Sequence, residues 1–125
     1  VDTSVLGRSL LDEPDKPAIE RALSAYETAM SSALLRVELR RLGLRNELLD
    51  QVGKLLGGVS LIPLDDEILA SAEAITPTTV ATLDAIHLAT AVSLSSVGKL
   101  DALMTYDKQL AAGAREHSIT VLSPS

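Results

Sequence analysis

The sequence predicts an open α/β sheet of four to five parallel strands with helices on both faces. Two observations carry this. Short apolar runs alternate along the chain with segments whose apolar residues recur at helical spacing. Strands separated by helices pair in parallel through right-handed crossovers, which puts the helices on both faces. At 125 residues the chain has the length of a single domain, expected over 1–125.

Val1 to Thr3 reads as the end of a first strand whose beginning is truncated, since strands usually run about 5 residues or more. A helical segment follows near Val5 to Leu11. Glu13-Pro14-Asp15-Lys16-Pro17 is a polar break, and Pro17 suits the first turn of a helix from Ala18 to Ala25. Thr28 to Ser31 is a short strand. Ser32 is placed to cap a helix from Ala33 to Leu42, along which Leu34, Leu35, Leu39 and Leu42 recur. Gly43 is expected to end that helix, and Asn46 to Leu56 forms the next, closed by Gly57-Gly58. Val59 to Leu64 is a strand, Asp66 to Ala74 a helix, and Thr76 to Thr79 a turn into a long helix from Leu83 to Ser95. Ala102 to Thr105, Lys108 to His117 and Ile119 to Leu122 complete the pattern as strand, helix and strand.

Composition excludes several classes. Aromatic residues make up 2% of the chain, so base stacking on aromatic side chains is not how it meets nucleic acid. No cysteine is present, which removes disulfides and thiolate zinc sites. A formal charge of −6 argues against a broad basic face and for a cation site or a basic protein partner. There is no apolar run of membrane-spanning length and no leader pattern, so a soluble, cytoplasmic protein is expected.

Four acidic residues stand in settings unlike surface filler: Asp2 in VDTS, Glu38 in SSALLRVELRR, Asp84 in TLDAIHLATA and Asp107 in LMTYDKQL. A carboxylate among apolar neighbours costs several kcal/mol unless a cation or hydrogen bonds compensate. In an open α/β sheet, sites form at the carboxyl ends of strands. Asp2 ends strand one, Glu38 lies on the helix after strand two, Asp84 opens the long helix, and Asp107 follows strand four. Carboxylates gathered there would repel, whereas Mg²⁺ or Mn²⁺ would turn them into ligands, because hard cations prefer oxygen donors. Such a centre can activate water and stabilise the leaving oxygen of a phosphodiester.

These stretches, with LDAIHLATA at 83–91 and DALMTYDKQLAAGAREHSITVLSP at 101–124, give the chain its resemblance to PIN-domain ribonucleases, and within them to VapC-type toxins of bacterial toxin-antitoxin pairs. The resemblance implies a PIN-like sheet and a Mg²⁺-dependent endoribonuclease that is silenced by a cognate antitoxin. It further implies an oligomer, either a homodimer or a complex with the antitoxin. Asp2, Glu38, Asp84 and Asp107 match the four acidic positions, and Ser4 matches a supporting hydroxyl. Asp101 opens its strand rather than closing it, so Asp107 is preferred.

Plainer roles exist for each residue. Asp2 and Asp107 suit helix caps, Asp84 suits the positive end of a helix dipole, and Arg41 lies one turn from Glu38 as an ion-pair partner. His87, one turn after Asp84, reads as a hydrogen-bonded, partly buried residue in preference to a general base, and a hydrogen bond towards Asp84 would make it a support for that acid; His117 reads as a favourable charge at a helix end. Arg36, Arg40 and Lys108 suit either solvent or an RNA phosphate. Leu6, Leu10 and Leu11 suit either the core or a groove for a partner helix. The alternative to an enzyme is a non-catalytic module whose acidic cleft receives a partner's basic residue.

Overall fold

The computed structural model describes residues 1–125 and contains seven helices and four strands. In chain order these are α1 (Thr3–Leu10), α2 (Lys16–Ser24), β1 (Ala29–Ser32), α3 (Leu34–Arg45), α4 (Leu49–Leu56), β2 (Val59–Ile62), α5 (Asp66–Ala74), α6 (Thr82–Ser96), β3 (Leu103–Met104), α7 (Lys108–Glu116) and β4 (Val121–Leu122). The α/β class is as expected, but the strands form two parallel pairs rather than one assigned sheet. β1 pairs with β2 in the register Ala29 to Val59, and β3 pairs with β4 in the register Leu103 to Val121.

Residues 1 and 2 run between the two pairs. The Val1 nitrogen donates to the Met30 carbonyl at 2.9 Å, and the Asp2 amide donates to the Met104 carbonyl at 3.2 Å. The expected strand end at Val1 to Thr3 is thus extended chain bonded on both sides, and the helix takes over at Thr3, too soon for a ladder. β2 stops at Ile62 rather than Leu64 because Pro63 has no amide to donate.

The most informative boundary error lies in α3. Gly43 does not end it: the helix continues to Arg45, and a β-carbon on Gly43 would stand 2.4 Å from Cγ2 of Val52 in α4. The glycine therefore serves close packing of two helices. The stop comes later, where the Asn46 side-chain amide donates to the Leu42 carbonyl at 2.8 Å and Glu47 takes φ 57°. That left-handed residue also delays α4 to Leu49. Ser32 caps nothing, and the cap position of α3 is Ala33.

Leu6 and Leu10 of α1 pack with Leu35 and Leu39 of α3 and Val52 of α4. These two leucines belong to the core and not to a partner groove, while Leu11 is exposed. A second cluster joins Leu88 of α6, Leu103 of β3, Leu110 of α7 and Ile119. A third, Val5, Ile19 and Met104, lies where α1 and α2 meet β3. With few aromatics available, each fully buried aliphatic side chain contributes about 1.5–3 kcal/mol. Ala85 and His87 to Ala91 are all buried, which makes α6 the central helix. No helix is long and apolar enough to cross a membrane.

Candidate active site

Asp2 is the most deeply placed of the four acids, 3% exposed. Its Oδ1 accepts from the Ser4 hydroxyl at 2.6 Å and its Oδ2 from the Thr105 hydroxyl at 2.9 Å. Burial pushes its carboxyl pKa up, and the two hydroxyl bonds only partly oppose this. It occupies the cap position of α1 without a side-chain cap bond. Both hydroxyls do double duty, since Ser4 Oγ accepts from the Tyr106 amide at 2.9 Å and Thr105 Oγ1 from the Asp107 amide at 3.0 Å. The turn after β3 is thereby tied to the segment that carries Asp2.

Asp107 sits at the end of that turn, and its Oδ1 accepts from the Leu110 amide at 2.7 Å as the cap of α7. The cap bond leaves Oδ2 uncommitted. Glu38 projects from α3 and meets the start of α1 and the middle of α6, not Arg41. Its Oε1 accepts from Thr3 Oγ1 and from His87 Nε2, each at 2.7 Å. Burial disfavours the Glu38 charge, but the bonds from His87 and Thr3 outweigh it and hold the pKa below the usual value.

Asp84 is half-buried in the first turn of α6 and has no compensating hydrogen bond. Burial, then the charges of Asp107 and Asp2, with a smaller addition from Glu38, push its pKa up to about 6 against the opposing effect of His87. Acids from three other chain segments thus act electrostatically on Asp84. They do not close on a point: no three His, Asp or Glu side chains stand near enough together to hold an ion as placed. Four like charges have no reason to close unaided.

The donor set suits a hard divalent cation. It is all carboxylate oxygen, it lacks sulfur, and Asp84 carries an electrostatic penalty that a cation would relieve. Asp101 is exposed at the other end of β3 and lines a cavity of about 510 Å³ with Val1, Met30 and Met104. None of the four acids lines that cavity, so the candidate centre lies apart from it.

His87 departs from expectation in its partners. It is buried as expected, yet its ring bonds Glu38 and Ser32, not Asp84. His117 does more than complement a dipole, because its Nε2 reaches the Thr76 carbonyl at 2.6 Å and ties the end of α7 to the turn before α6. Arg36 and Arg40 are exposed on α3, and Lys108 is exposed beside Asp107. Thr3 and Thr105 were not singled out by sequence, although a threonine placed directly before Tyr106-Asp107 at a strand end was the available signal for the second.

The PIN domain family model matches residues 1–122. Ribonuclease VapC47 of Mycobacterium tuberculosis (strain CDC 1551 / Oshkosh) is 37% identical over 131 residues, spanning 99% of this chain and 95% of that protein. Ribonuclease VapC46 of Mycobacterium tuberculosis (strain ATCC 25618 / H37Rv) is 34% identical over 127 residues, spanning 100% and 96%. Ribonuclease VapC35 of the same species is 38% identical over 97 residues, spanning 76% and 72%. Matched almost from end to end by the family model and by two of these relatives, the chain belongs to the PIN-domain family, in its VapC-type branch.

Proposed function

We propose that this protein is a Mg²⁺-dependent endoribonuclease, a toxin of the cytoplasm held inactive by a cognate antitoxin, and that residues 1–125 act as one PIN-like domain. In this reading the Val1–Asp2 segment is the middle of a single five-strand arrangement. The observation that carries the proposal is the gathering of Asp2, Glu38 and Asp107 about Asp84, whose pKa burial first and then these charges push up to about 6. The ribonuclease names of relatives covering the whole chain support it.

Asp2, Glu38, Asp84 and Asp107 would hold Mg²⁺, with Mn²⁺ as a substitute. When bound, the ion would supply charge neutralisation, acidification of water and stabilisation of the leaving oxygen. The chain's own groups divide the remaining work. Ser4 and Thr105 fix both oxygens of Asp2, and Thr3 holds one oxygen of Glu38. Asp84 is unrestrained by hydrogen bonds and is the carboxylate most able to adjust to an incoming group. Lys108, exposed beside Asp107, and the exposed arginines of α3 offer positive charge to phosphates along an otherwise acidic molecule.

In the reaction, water adds to phosphorus, the P–O3′ bond breaks and a proton from that water ends on the departing O3′. The products are a 3′-hydroxyl and a 5′-phosphate. The test is cleavage of a total-RNA pool by the isolated protein with Mg²⁺, with EDTA, and by the Asp84→Asn variant. Cuts that require Mg²⁺, leave 5′-phosphates and disappear in the variant are expected. Absence of cleavage by the folded wild type, or a 2′,3′-cyclic phosphate product, overturns the mechanism.

A further inference from the structure

His87 is the one buried titratable side chain that the proposed chemistry leaves without a task, and its surroundings are unusually complete. The residue is 4% exposed and sits in the middle of α6, with Leu88, Ala89, Thr90 and Ala91 buried beside it. Its Nε2 lies 2.7 Å from Glu38 Oε1, and its Nδ1 lies 3.0 Å from Ser32 Oγ, a hydroxyl only 1% exposed at the end of β1. Thr3 Oγ1, from the first residue of α1, reaches the same Oε1 at 2.7 Å. Three elements thus meet on one oxygen of one carboxylate, and no protein donor engages the other oxygen, Oε2.

Hydrogen-bond chemistry assigns the protons in this network. Oε1 is a carboxylate oxygen that also accepts from Thr3, so Nε2 is the nitrogen that donates to it. Nδ1, on the other side of the ring, faces the Ser32 hydroxyl at 3.0 Å. The ring orientation that serves Glu38 is therefore held from β1, an element separate from both helices. A buried ring satisfied only for packing has no need of a carboxylate partner, and this carboxylate belongs to the acidic centre.

We propose that His87 is a positioning residue for the acidic centre: with Ser32 holding its ring from the other side and Thr3 sharing its acceptor, it clamps Glu38 by Oε1 so that Oε2 is the oxygen presented to a divalent cation. The inference rests on the reading of the four acids as a cation site. It gives a buried histidine an orienting role in place of proton transfer. The type of arrangement, a ligand oriented by a hydrogen-bonded neighbour, typically changes metal affinity by about 10–100-fold when the neighbour is lost.

The experiment measures Mn²⁺ binding to the full chain in the absence of RNA, by calorimetry or by the resonance signal of free Mn²⁺, alongside thermal unfolding. The proteins are wild type, His87→Ala, His87→Gln, Ser32→Ala, Glu38→Gln and the His87→Ala/Glu38→Gln pair. His87→Ala is expected to weaken binding about 10–100-fold. His87→Gln, whose amide can donate to Oε1, should recover part of that loss. In the Glu38→Gln background, loss of the ring should add nothing further. Ser32→Ala should weaken binding in the same direction by a smaller factor.

If Glu38→Gln weakens Mn²⁺ binding while His87→Gln, His87→Ala and Ser32→Ala bind as wild type, the clamp is overturned and His87 is a core residue. Equal and additive losses in both backgrounds overturn it as well, because the ring would then act elsewhere. If His87→Ala does not fold, His87→Gln and Ser32→Ala decide by the same criteria. A folded wild type that binds no Mn²⁺, or a Glu38→Gln variant that binds it unchanged, overturns the cation-site reading itself and the clamp with it.

Discussion

Asp84 exposes the electrostatic tension among the acids most directly. Its carboxyl is raised from 3.8 to about 6, first by burial and then by its acidic neighbours. A carboxyl whose pKa is higher in the folded chain than in the unfolded one favours folding while protonated. That support is complete below about pH 3.8 and drains away as the pH climbs through about 6. In EDTA, Asp84→Asn is therefore expected to melt above wild type at pH 7.5, with the gap closing towards pH 4. Solvent screening at this half-buried position keeps the gap to about 1 kcal/mol, or roughly 4 °C. A wild type that melts level with the variant across the whole range would show that the acids do not repel. The acids themselves were legible in the sequence because a carboxylate among aliphatic neighbours stands out. Of their supports only Ser4 was, through the family resemblance: the Thr105 hydroxyl that donates to Asp2 lies 103 residues along the chain, and threonine is too common to announce such a role.

Helices were easier to read than strands at the scale of elements, for a physical reason. Helical signals are local, and α5 matches its predicted bounds because Asp65 caps it within the same turn, accepting from the Ile68 amide at 2.9 Å. Strand pairing depends on distant partners, so two-residue ladders such as β3 and β4 leave little pattern to find. Gly43 shows how a local rule misleads: glycine commonly ends helices, but here it permits Val52 to approach. Helix propensity alone favours alanine at this position by about 1 kcal/mol. Val52 is fully buried, with a branched side chain that has no alternative position, and overpacking of this kind costs about 1–3 kcal/mol. Gly43→Ala is expected to unfold at lower urea concentration, by about 1–2 kcal/mol, and Val52→Ala in the same chain should remove the clash term. A higher midpoint for Gly43→Ala would mean that α3 and α4 part freely.

For the whole molecule, the proposed cation site predicts a folded state that responds to divalent cations beyond the ordinary screening of a net charge of −6. At 100 times its dissociation constant, a ligand that binds only the folded chain adds about 2.7 kcal/mol. Mg²⁺ is expected to raise the melting temperature more than NaCl of equal ionic strength, and Asp84→Asn should lose most of the difference. Equal shifts with the two salts would show general screening alone. The α/β class and the helix order were readable from periodicity. The split into two strand pairs was not, because it depends on where α1 begins. By starting at Thr3, that helix leaves Asp2 alone to join the backbone of the β3 side, while Val1 joins the β1 side. The Asp2 amide is consequently shielded from solvent exchange only while the β3 half stays docked, so a single proton reports on both the closure of the molecule and the integrity of its acidic centre.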